Sequence, residues 1–226
     1  MMTPYDWQEG IAHRAQYIES RIVGGSPVLA LSINEGILAG SFRRQARKLF
    51  EIYDRLIYAG IGLQSDVESL RVASIEFAHR EGFQRSEQDV TIQRVVTAMS
   101  QPIKNAFANF NSAPFVAKAL FMEVCDSVED DRYYCLDYDG DYVNDRRWSW
   151  LGGTREIGDK LSASVQKDFQ PDMGIEATLA FVEASLKQVQ PETKRREPEP
   201  LVFEAALLER SKRGDRRFKP LAGFSD

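Results

Sequence analysis

The amino-acid sequence predicts an α+β fold: a four-layer αββα sandwich, with two stacked antiparallel sheets between helix layers and an extra N-terminal helix. Two observations support this fold class. Patterns typical of strands come in groups of four and three, and patterns typical of helices come in pairs between those groups. A parallel βαβ sheet would instead alternate single strands with single helices. The chain has 226 residues, which is enough for one domain of this kind.

The first predicted helix is amphipathic, because its apolar residues recur at steps of three and four and therefore share one face. These residues are Trp7, Ile11, Ala15, Ile18 and Ile22. Gly24 and Gly25 end the helix. Four strands then follow as two hairpins, with turns at 34–36 and 54–55. The predicted strands cover residues 28–33, 37–40, 49–53 and 56–61.

The second half of the chain is predicted to contain two helices, three strands, two further helices and a last strand. The first helix of this half begins at Ser65 or Asp66, either of which can cap it, and ends at Gly82. Asp139 and Gly140 signal a turn within the group of three strands. The predicted strands cover residues 115–125, 133–138 and 147–151, and the last strand covers 201–208.

Composition excludes several classes of function. The net charge of −5 argues against a general nucleic-acid binder, because binding phosphates needs a clustered excess of Lys and Arg. The basic segment 210–219 is a local exception, and we expect it to be solvated. We see no apolar run long enough to span a bilayer and no secretory signal pattern. We therefore expect a cytoplasmic protein that contacts neither membranes nor nucleic acid.

The sequence offers little metal or cofactor chemistry. His13, His79, Cys125 and Cys135 show no recognised metal-ligand spacing, so we expect neither a metal nor a cofactor. The alternating carboxylates of 137–141 lack the glycine and the glutamate that a calcium loop needs, which favours a β-turn. We find no nucleophile elbow, phosphate-binding loop or dinucleotide fingerprint.

Short motifs occur in a characteristic order along the chain. Gly25 and Ser26 precede the first strand, Lys48 precedes an apolar residue, and Gly62 and Leu63 precede a helix. Longer matching stretches lie at 51–55, 75–83 and 151–154. Together these segments resemble bacterial proteasome alpha-type subunits of the actinobacterial kind, which are built on the N-terminal nucleophile hydrolase fold.

The resemblance implies a non-catalytic subunit that gates the proteasome core particle. Such a subunit would form a homo-heptameric outer ring, stack on a ring of catalytic beta subunits and dock a ring-shaped ATPase activator. Unfolded proteins would pass through it to the proteolytic chamber. The resemblance covers about residues 4–210. We expect a gate segment at 1–7, one domain at 8–210 with a charged linker near 190–200, and a basic flexible tail at 211–226.

The resemblance also implies a binding pocket between neighbouring subunits. In this family the pocket receives the C-terminal tail of the activator, and a lysine pairs with the terminal carboxylate in a charge-assisted contact. Lys48 matches that lysine, and Gly25 and Leu63 match other pocket positions. Without the resemblance, Lys48 would be interpreted as an ordinary solvated lysine.

The first residues of the chain correspond to the gate in this resemblance. Seven copies of a segment containing Thr3, Pro4, Tyr5 and Asp6 would converge on the ring axis and close the opening by packing. The alternative is an ordinary frayed terminus.

Ser26 stands where active members of the fold carry their nucleophile, a chain-terminal Thr, Ser or Cys whose free amine acts as base. Cleavage would have to expose Ser26, and Pro27 constrains the backbone there. The acidic partner expected sixteen residues later falls at Phe42, which cannot orient Lys48.

We therefore predict a subunit that is not an enzyme. Two alternatives stay open: a self-processing N-terminal nucleophile peptidase that uses Ser26, and a stand-alone ring-forming protein of the same fold without a protease partner.

Overall fold

The structure, a computed structural model, describes residues 4–191, 200–213 and 216–224. The helices in these ranges are α1 (Pro4–Ile22), α2 (Gln64–Gln84), α3 (Ile92–Ala108), α4 (Arg155–Asp168) and α5 (Gly174–Gln188), with a short 3-10 helix at Glu87–Asp89. The strands are β1 (Val28–Ile33), β2 (Gly36–Arg43), β3 (Leu49–Tyr53), β4 (Leu56–Gly62), β5 (Ala117–Glu123), β6 (Arg132–Leu136), β7 (Tyr142–Arg146), β8 (Trp148–Leu151), β9 (Val202–Glu209) and β10 (Phe218–Ala222).

The described strands form two five-stranded sheets in which neighbouring strands are antiparallel. The first sheet has the order β10-β9-β2-β1-β8, and the second has the order β3-β4-β5-β6-β7. One apolar cluster lies between the sheets, one lies between the second sheet and α2 and α3, and one lies between the first sheet and α4 and α5. The predicted four-layer αββα sandwich with an extra N-terminal helix is confirmed.

Strand β1 shows how the sequence produces this layering. Val28 and Ala30 face the cluster between the sheets, whereas Leu29 and Leu31 face the helices. Successive side chains of a strand point to opposite faces, so a strand covered on both faces must be apolar at every position or pair its polar groups. The one hydroxyl of β1, on Ser32, lies 2.7 Å from the Tyr133 hydroxyl on the opposite sheet, and this buried hydrogen bond ties the two sheets together.

The structure corrects the strand count in the middle of the chain. The sequence predicted three strands between α3 and α4, whereas the structure has four, because β7 pairs with β6. All five residues of β7 are exposed, so it lacks the alternation of apolar and polar residues that marks a half-buried strand. The Gly140 amide donates to the Asp137 carbonyl oxygen at 3.1 Å, which forms a turn just before β7.

The region expected to be a basic flexible tail contains a further strand. β10 pairs with β9 at the edge of the first sheet. Arg217 is buried and its Nε lies 3.1 Å from Asp54, while Arg210, just before the predicted tail, forms a two-pronged ion pair with buried Asp131. The expectation of a solvated tail was wrong for these residues, because their charges find carboxylate partners inside the fold.

The predicted gate segment at 1–7 differs from the structure where the structure describes it. Pro4, Tyr5 and Asp6 already belong to α1, and Thr3 lies outside the described residues. Most of the charged linker predicted near 190–200 also lies outside them. Within the described ranges, we find no helix long and apolar enough to cross a membrane and no cluster of His, Cys, Asp and Glu that could hold a metal ion.

Candidate functional site

A cleft of about 300 Å³ opens where four segments meet: the loop between α1 and β1, the turn between β2 and β3, the end of β4 and the start of α2. It is lined by residues 24–26, 42–48, 60–62, Gln64 and Val67. Four of the seven residues in 42–48 are Arg or Lys, so one wall is strongly basic. We call it the Lys48 cleft.

The Lys48 ammonium is anchored inside this cleft. Its Nζ donates to the Ser26 carbonyl oxygen at 2.6 Å. Burial lowers the pKa of Lys48 to about 8, with Glu204 acting in the opposite direction and Arg44 adding to the decrease. At pH 7 the protonated form of the Lys48 amine therefore outnumbers the neutral form by about ten to one. An ammonium has three donors, so it can hold a carbonyl oxygen and an entering anion together.

Glu204 is a functional residue that the sequence reasoning missed. It lies on β9 with no exposed surface, and its carboxylate accepts hydrogen bonds from the backbone amides of Lys48 and Leu49, each at 3.1 Å. Arg43 Nε lies 3.6 Å from the same carboxylate. Burial raises the pKa of Glu204, and these donors oppose the rise. Its signal in the sequence is a single carboxylate inside the otherwise apolar run 202–208.

Glu204 supplies a carboxylate beside Lys48, where Phe42 at the expected acidic position had indicated none. Its hydrogen bonds go to the backbone amides of Lys48 and Leu49. It therefore positions the start of β3, and the Lys48 side chain is held by Ser26.

The three predicted pocket positions are placed differently from one another. Gly25 and Lys48 both line the cleft, whereas Leu63 packs against the cluster between the sheets. The Leu63 amide donates to the Val116 carbonyl oxygen at 2.9 Å, which holds the start of α2 at the edge of the cleft. Gly62, which lines the cleft, has φ +139° and no room for a Cβ, which would lie 2.1 Å from the Val116 carbonyl oxygen.

Ser26 and Phe42, the two residues on which the nucleophile hypothesis depends, both belong to the described structure. Ser26 lies at the cleft with its carbonyl oxygen bound to Lys48. Phe42 is buried, and its ring packs against that of Phe203 with centroids 5.3 Å apart. Phe42 belongs to the apolar cluster under α4 and α5, so the position expected for an acid supplies hydrophobic packing.

Helix α1 connects the predicted gate residues to this cleft. It ends at Ile22, whose carbonyl oxygen accepts from the Gly25 amide at 2.8 Å. At the other end, Tyr5 is 82% exposed, and the Trp7 ring meets Phe110 edge-on with centroids 4.9 Å apart. A 19-residue helix is about 28 Å long, so the gate residues and the cleft lie far apart on one rigid element.

The fold and the cleft together define a class of protein. The protein has two stacked sheets between helix layers, and Ser26, before β1, contacts Lys48, before β3. These are features of subunits built on the N-terminal nucleophile hydrolase fold. The sequence pattern of the family described as "Proteasome subunit" matches residues 27–199. The chain belongs to the proteasome subunit family.

Comparison with individual proteins narrows the resemblance. The chain is 30% identical to proteasome subunit alpha of Thermobifida fusca over 212 residues, which covers 93% of this chain and 82% of the relative. It is 33% identical to proteasome subunit alpha of Jonesia denitrificans over 209 residues, 89% and 86% of the two chains. Proteasome subunit alpha of Streptomyces coelicolor is 27% identical over 227 aligned positions, 99% and 88%. The resemblance to alpha subunits of actinobacteria is confirmed.

Proposed function

We propose that this chain is a non-catalytic structural and gating subunit of a proteasome core particle. It forms a homo-heptameric outer ring on a ring of catalytic beta subunits. It also docks a ring ATPase activator by binding the C-terminal carboxylate of the activator's tail in the Lys48 cleft. The observation that carries the docking proposal is the Lys48 ammonium, protonated at neutral pH and anchored by Ser26 inside a basic cleft.

The chemistry of the cleft supports a carboxylate as ligand. An ammonium and a carboxylate form a charge-assisted hydrogen bond, which is stronger than a neutral one. The basic wall 43–48 adds a favourable field for an anionic chain end and would steer it during encounter. Gly24 and Gly25 line the cleft with backbone alone, which leaves room for an extended peptide.

Gating is the second part of the proposal. Of the proposed gate residues Thr3, Pro4, Tyr5 and Asp6, the last three form the first turn of α1, and the Lys48 cleft lies just past its end. A small shift of a rigid helix at the docking end would move its other end as well, which is one way to open a ring of converging segments.

Deleting residues 2–6 should raise peptide hydrolysis by the assembled particle without activator. Hydrolysis at the same rate as by the full-length particle would refute the gating role.

The proposal assigns peptide cleavage to the beta ring. Phe42 fills the position expected for an acidic partner, and Ser26 uses its carbonyl oxygen to hold Lys48. The rival function, a self-processing peptidase with Ser26 as nucleophile, needs a chain that begins at Ser26. In this proposal, unfolded proteins in transit are the substrates of the particle as a whole. A cytoplasmic location fits the proposal, because the activator would need ATP.

Docking is tested with a peptide that carries a free C-terminal carboxylate, compared with the same peptide amidated at its C-terminus. The assembled ring should bind the carboxylate form more tightly. Lys48→Ala should weaken binding of that form roughly tenfold or more, because one charge-assisted contact is lost. The matched control is Lys187→Ala, which removes the same charge from an exposed ion pair on α5. Equal binding of the two peptides to the wild-type ring would refute docking at this cleft.

A further inference from the structure

The chain just beyond β10 runs to the rim of the Lys48 cleft. Arg43 donates to the Gly223 carbonyl oxygen through Nε at 3.1 Å and through Nη2 at 2.6 Å. Arg47 Nη2 donates to the Phe224 carbonyl oxygen at 3.0 Å, and its guanidinium lies 5.2 Å from the centre of the Phe224 ring. The two arginines, one at each end of the turn between β2 and β3, therefore bind the backbone carbonyl oxygens of two consecutive residues, Gly223 and Phe224. We call residues Phe218–Phe224 the C-terminal segment.

The same two arginines shape the wall of the cleft. Arg43 Nη1 donates to the Gln45 carbonyl oxygen at 2.8 Å, so one side chain links the turn to the C-terminal segment. Arg47 precedes Lys48, whose amide is bound by Glu204. Glu204 thus fixes one end of the turn, and the C-terminal segment fixes the rest.

The C-terminal segment itself is held tightly against β9. Gly223 has φ +70°, and a Cβ there would lie 2.2 Å from the Phe203 carbonyl oxygen and 3.0 Å from the Glu204 Cα. The Phe224 ring also meets Phe218 edge-on, with centroids 5.8 Å apart. The segment is therefore a fixed surface on which the turn can rest.

We propose that the C-terminal segment is a positioning element of the Lys48 cleft: it holds the turn 43–48 in the shape that receives a carboxylate. The identity of the ligand rests on the proposed function, whereas the coupling between segment and turn does not. A loop that is held before binding loses less conformational entropy when the ligand arrives, so the segment raises affinity without touching the ligand. Any event that lifts the segment away from the arginines would weaken docking.

The test uses Phe224→Ala in the full chain, which removes the ring under Arg47 and leaves every charge in place. Hydrogen exchange of the amides in 43–49 should become roughly tenfold faster, because the local opening that exposes them becomes easier. Affinity for the free-carboxylate peptide should fall about threefold to tenfold through lost preorganisation. Phe224→Tyr keeps the ring and should behave like the wild type.

Two further variants complete the design. Phe181→Ala removes a half-buried ring that stacks on Phe169 under the helix layer, and it should leave exchange in 43–49 unchanged. Arg47→Lys keeps the charge but loses the planar group that lies over the Phe224 ring, so it should shift both measurements in the direction of Phe224→Ala. It serves as the second probe if Phe224→Ala does not fold.

The outcomes separate this inference from the docking proposal. Unchanged exchange in 43–49 for both Phe224→Ala and Arg47→Lys overturns the inference, whatever the peptides do. Faster exchange with unchanged affinity overturns the positioning role. A wild-type ring that does not distinguish the two peptides counts against docking alone, and the exchange data then still decide whether the segment holds the turn.

Discussion

At the scale of single residues, the charge and shape of the Lys48 cleft depend on the hydrogen bonds that hold the Lys48 ammonium and the Glu204 carboxylate. Lys48 gives a hydrogen bond to Ser26, and Glu204 receives hydrogen bonds from the backbone beside Lys48. Burial disfavours the charged form of both, lowering the pKa of Lys48 and raising that of Glu204. Glu204 also pairs with Arg43, whose Nε lies 3.6 Å from its carboxylate, whereas the Lys48 ammonium is bound to a neutral carbonyl oxygen. In the proposed function, this ammonium is available to a carboxylate that enters the cleft.

The lowered pKa of Lys48 leads to a pH prediction. Only the protonated amine attracts a carboxylate, and the fraction protonated falls as pH rises through about 8. Affinity for the free-carboxylate peptide should therefore be flat between pH 6.5 and 7.5 and fall toward tenfold per pH unit well above 8, by the titration of a single group. Peptide binding measured across this range checks the expectation.

Lys48→Arg is the control for this titration, since an arginine stays charged throughout it. Whatever affinity this variant has at pH 7 should persist at pH 9.5. A wild-type affinity that is the same at pH 9.5 as at pH 7 would show that the charge of Lys48 does not contribute to binding.

At the scale of secondary-structure elements, β10 turns an expected tail into part of the sheet. The strand pairs with β9, and Arg217 just before it is 6% exposed. Arg217 binds Asp54 in the turn between β3 and β4, and its Nη1 donates to the carbonyl oxygens of Glu209 and Arg210 at 3.1 Å each. One side chain thus connects the C-terminal part of the first sheet with the second sheet.

Arg217→Ala should therefore lower stability. The change leaves two carbonyl oxygens and the Asp54 carboxylate without this donor, and Asp54 is partly exposed and can be rehydrated. We expect a loss of about 2–3 kcal/mol in the free energy of unfolding. Denaturant titration measures it, with exposed Lys219→Ala as the control, which should change stability by less than about 0.5 kcal/mol. Equal midpoints for the two variants would contradict a structural role for Arg217.

The sequence did not reveal β7 and β10, and the physical reason differs between the two strands. β7 is exposed at every position, so no apolar periodicity could reveal it. β10 lies in a stretch whose charges suggest solvation. Arg217, just before it, is buried and pairs with Asp54, a carboxylate far away in the chain that local patterns do not connect to it. By contrast, β1 and β9 are apolar on both faces, and such runs are visible in the sequence alone.

In the candidate site, too, the sequence revealed the residues that lie in local motifs and missed those brought in from far along the chain. Gly25 and Lys48 were found through motifs that lie close together in the sequence, and the structure places both in one cleft. Glu204 and Phe224 are more than 150 residues from Lys48 in the chain, and only the antiparallel pairing of β2, β9 and β10 brings them to it. Contacts of this kind depend on sheet order, which local patterns do not encode.

At the scale of the whole molecule, the fold separates the proposed docking site from the proposed gate by the length of α1. The proposed function also requires an assembly, because a gate and a pocket between subunits exist only in a ring. The rival function predicts instead a shortened chain that acts by itself. Subunit mass and assembly state therefore discriminate between them.

Native mass spectrometry of the chain, alone and after mixing with beta subunits of the same organism, tests the assembly. We expect full-length chains in heptamers that join beta rings into a larger barrel, with peptide hydrolysis only after joining. A chain that begins at Ser26 and hydrolyses peptides unaided would favour the peptidase. Full-length rings that ignore beta subunits would favour the stand-alone ring protein.

The contact between Phe224 and Arg47 has a practical consequence for handling the protein. Phe224 lies at the rim of the Lys48 cleft, so a purification tag or fluorescent label fused after Asp226 would follow it by only a few residues. It could then compete with an activator peptide or report on its arrival through a change in fluorescence. A label on β7, whose five residues are all exposed at the edge of the second sheet opposite β3, would be the better choice when docking itself has to stay undisturbed.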